Sequence, residues 1–86
     1  MTLKIETASD GGVTVLRLIG RVESEHVDEL WASIHDHHGT VVLDLGEVRL
    51  VDLAAVRFLV VCEAEGIELI HCSGYIREWM KGERHS

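Results

Sequence analysis

The chain has 86 residues, 47% of them hydrophobic, and a formal net charge of −7. That length holds one domain, residues 1–86, around a single core, because a chain of this size buries only about 60–65% of the surface it exposes when unfolded. The charge excludes nucleic acid as an expected partner, since neutralising phosphates takes a cluster of Lys and Arg.

No apolar run reaches the roughly 18–20 residues that span a bilayer. The N-terminal MTLKIETASDGG has neither a basic start nor a leader-like apolar stretch, so a cytoplasmic protein without membrane insertion is expected. Cys62 and Cys72 are too few for a disulfide framework or a zinc site, and read as reduced core thiols.

Leu3 to Thr7 alternates apolar and charged side chains, as a half-buried strand does. Asp10-Gly11-Gly12 supplies a hairpin turn, and Val13 to Arg21 (VTVLRLIGR) forms the second strand. Ser24 is placed to cap a helix in which Val27, Leu30, Trp31 and Ile34 share one face, with Gly39 as its stop. Thr40 to Leu45 is a short strand. Asp52 caps a helix to about Glu65, which Gly66 terminates. Ile67 to Cys72 is the last strand, and Tyr75 to Lys81 offers Ile76, Trp79 and Met80 as the apolar side of a final helix.

The order is ββαβαβα, an α/β domain with a mixed four-stranded sheet. Right-handed crossovers between sequence-adjacent strands put the helices mainly on one face of that sheet. Leu16, Leu18, Leu43, Leu45, Ile67 and Leu69 suit the covered face. The other parity mixes Val15, Arg17, Ile19, Val42, Asp44, Glu68 and Ile70, with Arg17 placed to pair with Asp44. Val15, Ile19, Val42 and Ile70 call for cover there, from the last helix through Trp79 or from a second copy of the chain as a homodimer.

Three features bring this order close to a known family. Gly20, Arg21 and Val22 follow the second strand, VVLDLGEVRLVD runs from Val41 to Asp52, and Gly66 precedes IELI. The chain resembles a STAS domain, the module named for sulfate transporters and anti-sigma factor antagonists. In antagonists of that family the Asp at the helix start is followed by two hydroxyl residues and a glycine, and a partner kinase phosphorylates the second hydroxyl. Asp52 matches the Asp, Leu53 and Ala54 fall on the hydroxyl positions, and Ala55 falls on the glycine. The resemblance therefore implies a bacterial protein-interaction module without its phosphoacceptor, Ala54 standing where the hydroxyl would be. Its partner would be an anti-sigma factor or kinase-like regulator or, alternatively, the subunit of a membrane transport assembly. Asp52 reads equally as a plain N-cap, and the three residues after it as ordinary first-turn helix formers.

Between Leu53 and Cys62 the only charge is Arg57. A helix apolar nearly all round is deeply buried or docked, and a domain this small can hardly bury it. Asp52, Leu53, Ala54, Ala55, Arg57 and Val61, with Ala64 at the far end, are the expected partner-binding residues. His35-Asp36-His37-His38 carries metal-ligand side chains, but its spacing at a helix end makes a weak site, so no metal or cofactor is expected. No G-x-S-x-G and no phosphate-cradling glycine loop is present, so no catalytic residue is assigned.

Overall fold

The computed structural model describes residues 3–37 and 39–84. Its elements are β1 (Leu3–Asp10), β2 (Val13–Val22), a 3-10 turn (Ser24–His26), α1 (Val27–His35), β3 (Thr40–Val51), α2 (Leu53–Ala64), β4 (Glu68–Ile70) and α3 (Gly74–Arg84). The sheet order is β1-β2-β3-β4, antiparallel between β1 and β2 and parallel thereafter. The expected α/β order and mixed four-stranded sheet are both present.

Glycine chemistry closes the first end of the sheet. Gly11 and Gly12 take φ of 57° and 87°, the left-handed values a tight hairpin needs. Gly39, at φ 93°, enters β3 so close to that hairpin that a Cβ would lie 2.7 Å from the Gly12 carbonyl oxygen. The same oxygen accepts the Thr40 N–H at 3.2 Å, which ties the start of β3 to the turn.

β3 is twice the expected length. Leu43 and Leu45 point to the core, but the next inward residues are Val48 and Val51, because two register shifts against β2 break the alternation. Strict alternation would have turned Glu47 and Arg49 inward, and for that reason GEVRL reads as a loop in the sequence. The bulges put Leu50 outside, 44% exposed.

β4 is shorter than expected. A Schellman motif ends α2, with Gly66 N–H donating to Glu63 and Ile67 N–H to Cys62, so Ile67 still belongs to the helix cap. At the other end His71 takes φ 57°, a left-handed conformation that costs a non-glycine residue and turns the chain out of the sheet. The start of α1 also differs. Glu23, not Ser24, caps the 3-10 turn, in a capping box with His26, and α1 follows at Val27.

The helices lie together on the Leu16, Leu18, Leu43 and Leu45 face, where these side chains form one core with Leu30, Leu59 and Cys62. α3 joins that core through Ile76 and Met80 and packs along α2, with Trp79 partly buried beside them. The expectation that Trp79 covers the opposite sheet face is thus wrong. The i, i+4 pair of Ile76 and Met80 offers the larger apolar surface to the helical layer.

The open face is ionic instead. Arg17 reaches Glu47 at 3.1 Å and Glu6 at 3.7 Å, and Lys4 lies 3.4 Å from Glu6. Arg17 and Asp44 are register neighbours, yet the expected bridge between them does not form. Asp44 Oδ1 accepts the Gly46 N–H at 2.9 Å and pairs with His71 Nδ1 at 3.0 Å. The Gly46 N–H, helped by His71 and more weakly by Arg17, holds the Asp44 carboxyl below its ordinary 3.8, against the opposing effect of burial.

Both cysteines are free. Burial, with Glu65 adding to it, pushes the Cys62 thiol up to about 12, and burial raises Cys72 as well. Such thiols are poor nucleophiles.

Two outcomes check this architecture. Met80→Ala should cost roughly 2–5 kcal/mol in urea unfolding, as for other fully buried methionines, whereas a cost near zero would remove α3 from the core. A carboxyl lowered in the folded state contributes stability that is present above the unfolded value and is lost as the pH falls through the folded value. The stability gap between the parent and Asp44→Asn should therefore shrink on acidification below about pH 4, which denaturant melts at several pH values would record. A constant gap would deny the Asp44 contacts.

Candidate functional site

Asp52 has an extended backbone, with φ −107° and ψ −179°, and stands one residue before α2. Its Oδ1 accepts the Ala55 N–H at 2.9 Å, the standard N-cap bond. Its Oδ2 accepts the Ser24 N–H at 2.8 Å, from the 3-10 turn that leads into α1. The Asp52 N–H in turn donates to the Val22 carbonyl at 3.3 Å. One carboxylate thus satisfies donors at the starts of two helical segments and fixes their spacing.

A groove of about 800 Å³ opens beside this clamp. One wall is Ser24, Val27, Asp28 and Trp31; the other is Asp52 with Leu53, Ala54, Arg57, Phe58 and Val61. Phe58 is buried and meets the Trp31 ring edge to face at 4.9 Å, which makes a stiff aromatic floor. Leu53 and Val61 remain 40% and 44% exposed. Two turns of helix separate them, so they form an apolar ridge about 12 Å long, with Arg57 between them. Arg57 Nε is held at 3.0 Å from Glu83 Oε1 on α3.

The structure brings Asp52, Leu53, Ala54, Arg57 and Val61 together, and Ala64 is exposed further along α2. Ala55 is separated from them. It is 0% exposed and turns into the core, so its methyl group serves packing and no partner can touch it. The second wall, Ser24, Val27, Asp28 and Trp31, was not legible as part of a site. Val27 and Trp31 belong to the apolar stripe of α1, and nothing in a stripe says which of its members stay half-exposed at a helix–helix seam.

The histidine run does not converge. His35 stacks on Trp31 at 5.6 Å, His37 Nδ1 lies 2.7 Å from the Ser33 carbonyl oxygen, and His38 is outside the described residues. Among the described residues no group of three or more His, Cys, Asp or Glu side chains could hold a metal ion, and no helix is long and apolar enough to cross a membrane.

Asp52→Ala removes both accepted bonds and should cost about 1–2 kcal/mol in chemical denaturation. It should also speed hydrogen exchange at the Ser24 and Ala55 amides. Exchange accelerated at Ala55 alone would reduce Asp52 to a cap for α2.

No curated protein matches the chain significantly in sequence. Among solved structures, the anti-sigma factor antagonist SpoIIAA in its unphosphorylated form is similar over 94% of this chain and 81% of its own, with a TM-score of 0.70 and 16% identity. The STAS domain of an antisigma-factor antagonist from Rhodobacter sphaeroides is similar over 78% and 79%, with a TM-score of 0.52 and 22% identity. A structure described as Mglu is similar over 74% of this chain, which spans 18% of that longer one, at a TM-score of 0.60 and 21% identity. At these identities the likeness carries the fold. Residues 5–73 match the family model described as "Mlab, STAS domain", and with the ββαβαβα order and the Asp-capped α2 already in place, the chain belongs to the STAS domain family.

Proposed function

We propose that the chain is a non-enzymatic interaction module of the bacterial cytoplasm that docks a regulatory protein, an anti-sigma factor or a related kinase-like protein, in the groove beside Asp52. The observation that carries this reading is the exposed pair Leu53 and Val61 on a stiff aromatic floor, at the helix start where antagonists of this family are phosphorylated. Apolar side chains left 40% exposed beside a cavity gain from a partner that removes them from water, at about 25 cal/mol per Å². Arg57 stands among them as the type of residue that anchors interfaces.

α2 contains no Ser, Thr or Tyr from Leu53 to Ala64. A kinase therefore has no acceptor on this helix, and Ala54 keeps its first turn uncharged. Docking on this helix is constitutive with respect to the family's phosphorylation. The alternative reading, an accessory subunit of a membrane transport assembly, uses the same groove for a different partner.

Leu53→Asp and Val61→Asp should each abolish capture of the partner cross-linked to the chain in its native host, with the circular dichroism of the parent retained. Ala54→Glu, which puts a charge where the family adds phosphate, should weaken capture at least tenfold. Capture undiminished in all three variants would move the interface elsewhere. Recovery of a transporter subunit in place of a regulator would select the alternative.

A further inference from the structure

We propose that two copies of this chain associate through the free edge of β1, which pairs antiparallel with its counterpart about a two-fold axis at Ile5 and joins the two sheets into one. None of the residues that line the groove is on β1, so this contact does not depend on what α2 docks. β1 stands last in the sheet order, and among the described residues no strand pairs with its outer side. Its 8 residues run opposite β2 without a register shift, whereas the pairing of β2 with β3 is shifted twice. Backbone N–H and C=O groups of alternate residues therefore point outward along a regular edge, which is a template for another strand. No proline or bulge interrupts it.

The side chains select both the occupant and the register. Lys4 and Glu6 lie on the open face of the sheet, and Leu3 and Ile5 lie on the helical face, half-buried against the core. Outward-pointing backbone groups recur at every second residue, so two identical β1 strands can pair only with like faces together, in registers that slip by two residues at a time. With the axis at Ile5, Lys4 stands opposite Glu6 of the second copy and Glu6 opposite its Lys4, while Ile5 meets Ile5 and Leu3 meets Thr7. A slip one way sets Lys4 against Lys4, and a slip the other way sets Glu6 against Glu6. Like charges directly opposite each other are destabilising. A longer slip that sets Lys4 against Asp10 gives up the apolar contact, because Ile5 then meets Ser9.

In the single chain Glu47, Arg17 and Glu6 already form a row of alternating sign across β3, β2 and β1, with separations of 3.1 and 3.7 Å. Lys4 of the second copy is the next member of that row. Its side chain is 67% exposed and lies 3.4 Å from its own Glu6, so the ammonium has only to turn from one Glu6 to the other. A lysine on an edge ordinarily repels an added strand; here the added strand brings the carboxylate that pairs with it. On the helical face the two Ile5 Cβ atoms stand about 4.5–5.5 Å apart, which removes the half-exposed end of each core from water. The axis runs perpendicular to the sheet and leaves the helices of both copies, with both grooves, on one side. A single strand pair is a small interface, so the dimer is reversible and follows concentration.

Sedimentation velocity of the purified chain over a dilution series should show a reversible monomer–dimer equilibrium, and a chain that stays monomeric at its highest soluble concentration overturns the proposal. Lys4→Glu and Glu6→Lys, each with the circular dichroism of the parent, should weaken self-association by about tenfold or more. Mixed together, the two variants should dimerise about as tightly as the parent, because every opposed pair regains opposite signs. Undiminished dimerisation of each variant alone, or a mixture that associates no better than either, places the contact elsewhere and overturns the proposal. Register is read separately, without altering charge, by Ile5→Cys and Thr7→Cys under mild oxidation, with the parent's yield from Cys62 and Cys72 as the baseline. Paired strand residues have Cα atoms about 4.5 or 5.5 Å apart, and both separations admit a disulfide. Ile5→Cys should cross-link across the axis, while Thr7→Cys, which faces Leu3 of the second copy, stays at the baseline. Equal cross-linking of the two, or none in Ile5→Cys, overturns the register and the proposal with it.

Discussion

The Asp52 carboxylate is the constraint on which the functional half of this domain depends. A helix start leaves backbone N–H groups without partners, and proteins usually satisfy them locally, one cap for each helix. Here one side chain serves two starts, with Ser24 on Oδ2 and Ala55 on Oδ1. Because Asp52 N–H is itself fixed to the Val22 carbonyl at the end of β2, the sheet, the 3-10 turn and α2 meet at one point. The groove is the space left between two segments whose separation that point sets, and its aromatic floor is completed where Trp31 of one segment meets Phe58 of the other.

The two faces of the sheet solve different problems. On the helical side, leucines from β2 and β3 meet Leu59, Cys62, Ile76 and Met80 in one apolar core, where burial keeps the Cys62 thiol protonated. On the open side, Arg17, Glu6, Glu47 and Lys4 make pairs that are largely exposed and so add little stability each. Val42, outside the helical core cluster, is nonetheless only 7% exposed. Long charged stems can shield apolar side chains in this way without a second protein layer.

Strain collects at the other end of β4. His71 holds a left-handed backbone beside Gly46, where a Cβ would come within 3.2 Å of both Asp44 Oδ1 and the His71 Cβ. The missing side chain at Gly46 allows that approach, and the shared contact with Asp44 offsets the cost of the conformation. The result is a three-residue strand that ends abruptly and sends the chain back to the helical layer, where α3 closes the core beside α2.

Much of this was determined by the sequence itself. The alternation of β1 and β2, the leucine parity of β3 and the apolar circumference of α2 fixed the element order, the face of the sheet that is buried and the helix that has surface to spare. The replacement of a hydroxyl by Ala54 needs no structure to be seen. These are properties of single elements, and periodicity reports them because it is local. Tertiary structure decided the rest. Whether Asp52 holds one helix start or two, which side α3 takes, that Ala55 points inward while Leu53 and Val61 point out, and that Ser24 faces Ala54 across a groove all depend on how one element is rotated against another. The two bulges in β3 belong with them, since the inward set Leu43, Leu45, Val48 and Val51 follows the β2 ladder and not the chain's own alternation. A pattern along one segment carries no information about that relative rotation, which is set by the shapes of the side chains packed between them.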